Sequence, residues 1–148
     1  MYRKLLLASA LSILAPAAFA DTCSINLEGN DLMKYNLTNI DISRSCKEFT
    51  INFKHTGKMA RNVMGHNVVI ARTADINAVD KDGIAAGLNN NYVKPGDTRV
   101  IAHSPTVGGG ETTSVKIPVA RLTNGPYSFF CSFPAHSALM KGTITLKP

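Results

Sequence analysis

Apolar and polar residues alternate along Phe49-Thr50-Ile51-Asn52-Phe53-Lys54-His55, which predicts a half-buried strand with Phe49, Ile51, Phe53 and His55 on its inner face. Val68-Val69-Ile70-Ala71 is a short, fully apolar run, and Tyr127-Ser128-Phe129-Phe130 is strand-like in composition. β-Branched segments recur at Arg99-Val100-Ile101-Ala102, Ser114-Val115-Lys116-Ile117 and Thr143-Ile144-Thr145-Leu146. With Ser24 to Leu27 and Thr38 to Ile42 the pattern yields about eight strands, separated by turn signals such as Gly29-Asn30, Pro95-Gly96 and Asn124-Gly125-Pro126. Many short strands at near-regular spacing predict an all-β fold, a Greek-key β-sandwich. One helical excursion is expected near residues 73–88, where the chain is Ala-rich and Thr73 or Asp75 offers an N-cap. Gly108-Gly109-Gly110 lacks the Lys-Ser/Thr of a phosphate loop and reads as a strand connection.

The first twenty residues carry a different pattern. A basic start, Met1-Tyr2-Arg3-Lys4, an apolar stretch from Leu5 to Leu14 and the small-x-small site Ala18-Phe19-Ala20 read as a cleaved secretory signal peptide over 1–20. The apolar stretch is too short to span a membrane, which takes about 20 residues. Residues 21–148 then form a single domain, expected to be monomeric, exported and without stable membrane insertion. Without Arg3 and Lys4 it has 14 basic against 10 acidic residues. The basic residues are scattered and not interleaved with aromatics, so a nucleic-acid partner is unsupported.

The chemistry gathers in Cys131-Ser132-Phe133-Pro134-Ala135-His136-Ser137-Ala138-Leu139-Met140, which holds a thiol, an imidazole and a thioether in one loop. With His66 far upstream it offers a His₂Cys set and a Met, the donor combination of a blue-copper electron-transfer site. The three cysteines bear on this, because an odd thiol in an oxidising compartment must be buried or held by a metal. If Cys131 is a ligand, Cys23 is left to pair with Cys46, closing a loop of roughly 24 residues worth about 3 kcal/mol. Spacing alone leaves a Cys46–Cys131 bridge open. Taken singly, Met140 would be a core methionine and His66 and His136 loop histidines; His55 reads as a core histidine and His103 as a surface one.

Three other functions compete. Zinc suits a His₂Cys site, but copper binds such sites more tightly, and no carboxylate stands beside the ligands as a general base. A cysteine hydrolase would need an orienting group and an oxyanion hole, neither of them visible here. A copper carrier that delivers the metal is the nearest rival, although carriers use exposed Met or Cys clusters.

At these residues the chain resembles a known family. Val63-Met64-Gly65-His66-Asn67, Phe129 to Gly142, Cys23-Ser24, Gly29-Asn30-Asp31, Ser45-Cys46-Lys47 and Arg99 to His103 are similar to the azurins, bacterial periplasmic cupredoxins. The resemblance covers essentially all of residues 21–148. It implies a cupredoxin-like, plastocyanin-like domain binding one copper through His66, Cys131 and His136, with Met140 axial and the Gly65 carbonyl a weak axial contact. It also implies a Cys23–Cys46 disulfide, Asn67 and Ser132 tying the two ligand loops together, and amide donors from Asn67 and Phe133 near the thiolate. His136 is expected to present its ring edge inside an apolar collar of Met33, Met59, Met64, Ile84, Phe133, Pro134 and Ala135. The implied function is periplasmic, non-enzymatic shuttling of single electrons between redox partners such as c-type cytochromes and copper or haem oxidoreductases.

Two positions depart from the family. Val68 stands where a buried Trp is common, and the chain has no Trp. Ala135 stands where Gly is usual before the second His.

Overall fold

A computed structural model describes residues 22–148. The signal peptide expected over 1–20 lies outside the described residues.

Among the described residues, nine strands form two sheets. The first has the order β2 (Lys34–Tyr35), β1 (Ser24–Asn30), β4 (Glu48–His55), β7 (Thr112–Pro118). The second runs β3 (Asn39–Ser43), β9 (Lys141–Lys147), β8 (Tyr127–Phe130), β5 (Val69–Arg72), β6 (Val100–His103). Eight of these are the strands read from the sequence. The ninth, β2, has only two residues, too few to carry a periodicity.

Both sheets are mixed. β1 runs parallel to β4, from Ser24 opposite Thr50 to Gly29 opposite His55, and β3 runs parallel to β9. Alternation along β4 is as expected: Phe49, Ile51, Phe53 and His55 are buried, while Asn52 and Lys54 are exposed. Its apolar face meets Leu27, Val115 and Ile117 of its own sheet and Ile40, Ile42, Ile70 and Phe129 of the other, forming the main core.

The unbroken apolar runs have a separate cause. Both faces of β5 and β8 are covered: Ile70 and Phe129 point into the sandwich, while Val69, Ala71 and Phe130 pack in a second cluster with Ile76, Val79, Val93 and Val100. Ile76 and Val79 belong to α2 (Ile76–Ala86), the helical excursion, which lies on the outer face of the second sheet. Gly83 allows α2 to seat closely, because a Cβ there would collide with the Tyr92 carbonyl oxygen.

Neither expected N-cap operates. Asp75 makes no side-chain cap bond to α2, and Thr73 Oγ1 is 2.9 Å from Ser128 Oγ across the sheet. Residues 73–75 instead form one 3₁₀ turn leading into α2. The helix ends at Gly87, in the left-handed region at φ 76°, where the N–H bonds back to Gly83 and Ile84. A second helix, α1 (Arg61–Met64), is a single turn with no buried residue and has no sequence signature.

Cys23 and Cys46 form a disulfide with their Cα atoms 5.7 Å apart, at the starts of the parallel strands β1 and β4. Cys131 is free and buried.

Candidate metal centre

The ligand candidates come from two connections at one end of the sandwich. The α1–β5 link carries His66, whose backbone exchanges hydrogen bonds with Val107 at 2.9 and 2.8 Å. Ahead of it, Gly65 passes so close to the Arg61 carbonyl that a Cβ would collide. The β8–β9 loop carries the rest. The Cys131 N–H donates to the Met140 carbonyl at 3.0 Å, tying the base of the loop. Within it, the His136 carbonyl accepts from Leu139 and Met140 at 3.0 and 2.8 Å. Donors placed by the bridge to Val107 and by a loop tied at its base have little freedom to rearrange.

The fold brings three donor atoms together. His66 Nδ1, Cys131 Sγ and His136 Nδ1 all lie within 4.8 Å of one another. The sulfur is 3.9 Å from the first nitrogen and 3.6 Å from the second. His66 and Cys131 are fully buried, and His136 is 3% exposed. Met140, also fully buried, places its methyl beside Gly29.

Burial fixes the protonation states. It lowers His66 and His136 to about 4, helped in each case by neighbouring histidines, so both rings are neutral at pH 7. His66 Nε2 is 2.8 Å from the Asn30 carbonyl, so it carries the proton and Nδ1 keeps its lone pair. The same desolvation pushes the Cys131 thiol up to about 12, while the backbone N–H groups of Asn67 and Phe133 pull it down. Two neutral imidazoles and an enclosed sulfur with amide donors are a donor set that fits copper.

The loops are locked together by one amide. Asn67 Oδ1 accepts from the Ser132 N–H at 2.9 Å, and Nδ2 donates to Ser132 Oγ at 2.9 Å and to the Asn91 carbonyl at 2.7 Å. Several supports carried no sequence signal. Asn91 sits in the left-handed region at φ 56°, and its Oδ1 accepts from Thr106 and Arg61. The Tyr35 hydroxyl donates to the Asn67 carbonyl at 2.6 Å. His55 stacks on His66 with ring centres 4.2 Å apart. The Gly57 N–H donates to His55 Nδ1 at 3.0 Å, so Nε2 donates to the Met64 carbonyl at 2.8 Å. Only the burial of His55 was readable beforehand, from the period of β4. His103 is exposed, as expected.

The collar differs from expectation in two places. His136 is only 3% exposed, less open than expected, with Phe133 beside it at ring centres 4.6 Å apart. Phe133 also meets Tyr92 at 5.1 Å and is only 7% exposed, so it is a cover for the imidazole and offers little docking surface. Met59 and Ile84 are 39% and 41% exposed, Ala135 is exposed, and Met33, Met64 and Pro134 are half-buried. Leu32, Val63 and Leu139, chain neighbours of these residues and of Met140, are more exposed than Met59 and Ile84 and were not anticipated as docking residues.

Both departures have a structural setting. Val68 is fully buried in the main core, its N–H donating to Ser104 Oγ at 3.0 Å. Ala135 lies at φ 69°, the left-handed region, where a Cβ costs about 1–2 kcal/mol.

Similarity to known proteins points the same way. The family described as copper binding proteins, plastocyanin/azurin family, matches residues 21–147. An azurin from Bordetella pertussis is 58% identical over 133 residues, 89% of this chain and 88% of that one. An azurin from Pseudomonas aeruginosa is 50% identical over 99% of this chain and all of its own. A solved azurin from the obligate methylotroph Methylomonas sp. strain J superposes with a TM-score of 0.83 at 46% identity, covering 86% of this chain and all of its own.

Proposed function

This chain belongs to the plastocyanin/azurin family of copper-binding proteins, and from that premise we propose how it works as a blue-copper electron-transfer protein. The carrying observation is the buried cluster of His66 Nδ1, Cys131 Sγ and His136 Nδ1 within 4.8 Å. Bound copper supplies a one-electron couple between Cu(I) and Cu(II), and the chain supplies the cage. His66, Cys131 and His136 would hold the metal, with the Met140 thioether and the Gly65 carbonyl as further, weaker donors. The neutral rings offer their lone pairs at pH 7, whereas Cys131 must give up a proton. Asn67 and the backbone clamps keep the donors in place, so neither oxidation state can draw them far.

Electrons leave through His136 and its Phe133 cover. Partners such as c-type cytochromes and copper or haem oxidoreductases dock transiently on the apolar face of Met33, Met59, Met64, Ile84, Pro134 and Ala135, extended by Leu32, Val63 and Leu139. The protein acts as a monomer in the periplasm after removal of residues 1–20, and it carries electrons without catalysing a reaction of its own. Among the described residues no helix is long and apolar enough to cross a membrane. Delivery of the metal is the weaker reading, because donors with 0–3% exposure are poorly placed to hand copper to another protein.

The test is the visible spectrum with Cu(II). We expect an intense blue band that vanishes on reduction and is abolished by Cys131→Ser. A colourless copper-saturated protein would refute the assignment.

A further inference from the structure

Asp80 is an acid where α2 should be apolar. The buried residues of the helix are Ile76, Val79 and Gly83, and position 80 lies one turn beyond Ile76 on the same face. Its carboxylate does not serve the core. Oδ2 accepts a hydrogen bond from Ser137 Oγ at 2.9 Å, and Oδ1 is buried with no hydrogen-bond partner among the described residues. Ser137 directly follows His136 in the ligand loop.

The charge is also uncompensated. Its neighbour Asp82 is held by Arg99 and Lys94 at 2.6 and 3.5 Å, whereas Asp80 forms no ion pair among the described residues. Lys81 is exposed, and so is Lys141 beyond the loop. Burial raises the Asp80 carboxyl, with the Ser137 hydroxyl pulling against it.

We propose that Asp80 is a positioning residue for the copper site, tethering the His136 loop through Ser137 and supplying a fixed negative charge that favours the oxidised form. This rests on the blue-copper reading and adds to it a control residue outside the ligand loops. The two roles separate by mutation. Asp80→Asn keeps an acceptor for Ser137 and removes the charge, Ser137→Ala keeps the charge and removes the tether, and Asp80→Ala removes both.

The experiment uses the full copper-loaded protein at pH 8, with the reduction potential read by spectroelectrochemistry. Asp80→Asn and Asp80→Ala should both raise the potential. At a fixed electrode potential the reduced-to-oxidised ratio should grow about tenfold, equivalent to ~59 mV for one electron. Ser137→Ala should move it far less. In the copper-free protein, hydrogen exchange at the Leu139 and Met140 amides should quicken in Ser137→Ala and Asp80→Ala but not in Asp80→Asn.

A blue Asp80→Asn protein with unchanged potential would overturn the charge, and unchanged exchange in both tether variants would overturn the tether. Failure of the parent protein to turn blue would instead count against the copper reading itself.

Discussion

The two ends of the parallel pair β1 and β4 are held together in opposite ways. At their starts, Cys23 and Cys46 are joined covalently. At their far ends, about 20–25 Å away at strand rise, Asn30 and His55 brace His66 through a 2.8 Å hydrogen bond and a stacked ring. One end limits the unfolded chain with a single bond. The other limits the folded chain with many weak bonds around a thiol kept free for a metal. The difference teaches that stability and site geometry are delegated to separate places, so each can be broken alone.

The largest contrast should come from removing the covalent clamp. Replacing both Cys23 and Cys46 with Ala should cost about 3 kcal/mol in denaturant unfolding while leaving the blue band unchanged. A lost or shifted band would show that the two ends are coupled. Asn67→Ala should act on the site as well as on stability. It strands the Ser132 amide and hydroxyl in a buried setting, costing about 2 kcal/mol, and should broaden the blue band by loosening Cys131 against His66.

Protonation sharpens the comparison further, because the metal end holds the two imidazoles that burial shifts. In the copper-free protein His66 and His136 have folded values near 4 against 6.5 for the free side chain. The unfolded chain therefore binds more protons between these values, and stability should fall as the pH drops from 6.5 to 4. Guanidinium midpoints across that window test this, and the copper-loaded protein should fall at least as steeply, because unfolding frees the same imidazoles and lets Cys131 take back its proton. At pH 7, calorimetry in two buffers should find about one proton released on copper binding, from Cys131 alone.

The smallest effect is expected at Ala135. Ala135→Gly relieves the left-handed strain at φ 69° and should stabilise the protein by roughly 0.5–1 kcal/mol, net of glycine's greater chain entropy. A destabilised variant would mean that the Ala135 methyl makes contacts that outweigh the strain.

Legibility followed locality. β4 could be read residue by residue because one face packs and the other is wet. The double burial of β5 and β8 left only an apolar run, whose cover, α2, is found in space and not in sequence. β2 and α1 are too short for any period, and Thr73 and Asp75 look like caps but the turn they occupy directs them elsewhere. The ligand loop was conspicuous because Cys, His and Met are uncommon neighbours. Its supports were not: Asn30 contributes only a carbonyl, Asn91 a left-handed turn, Tyr35 a hydroxyl, and Asp80 a carboxylate hidden in a helical stretch of mixed polarity.

The donor types were set by the amino-acid sequence alone, since softness and charge belong to the side chains themselves. So was the strand pattern, because alternation is a local consequence of burying one face. Convergence required the folded molecule. It places His66 Nδ1 3.9 Å from the sulfur of a residue 65 positions away, joins Cys23 to Cys46, and closes Phe133 over His136. It also makes the imidazoles neutral and the thiol reluctant to ionise, because desolvation arises only when sheets and loops pack around them.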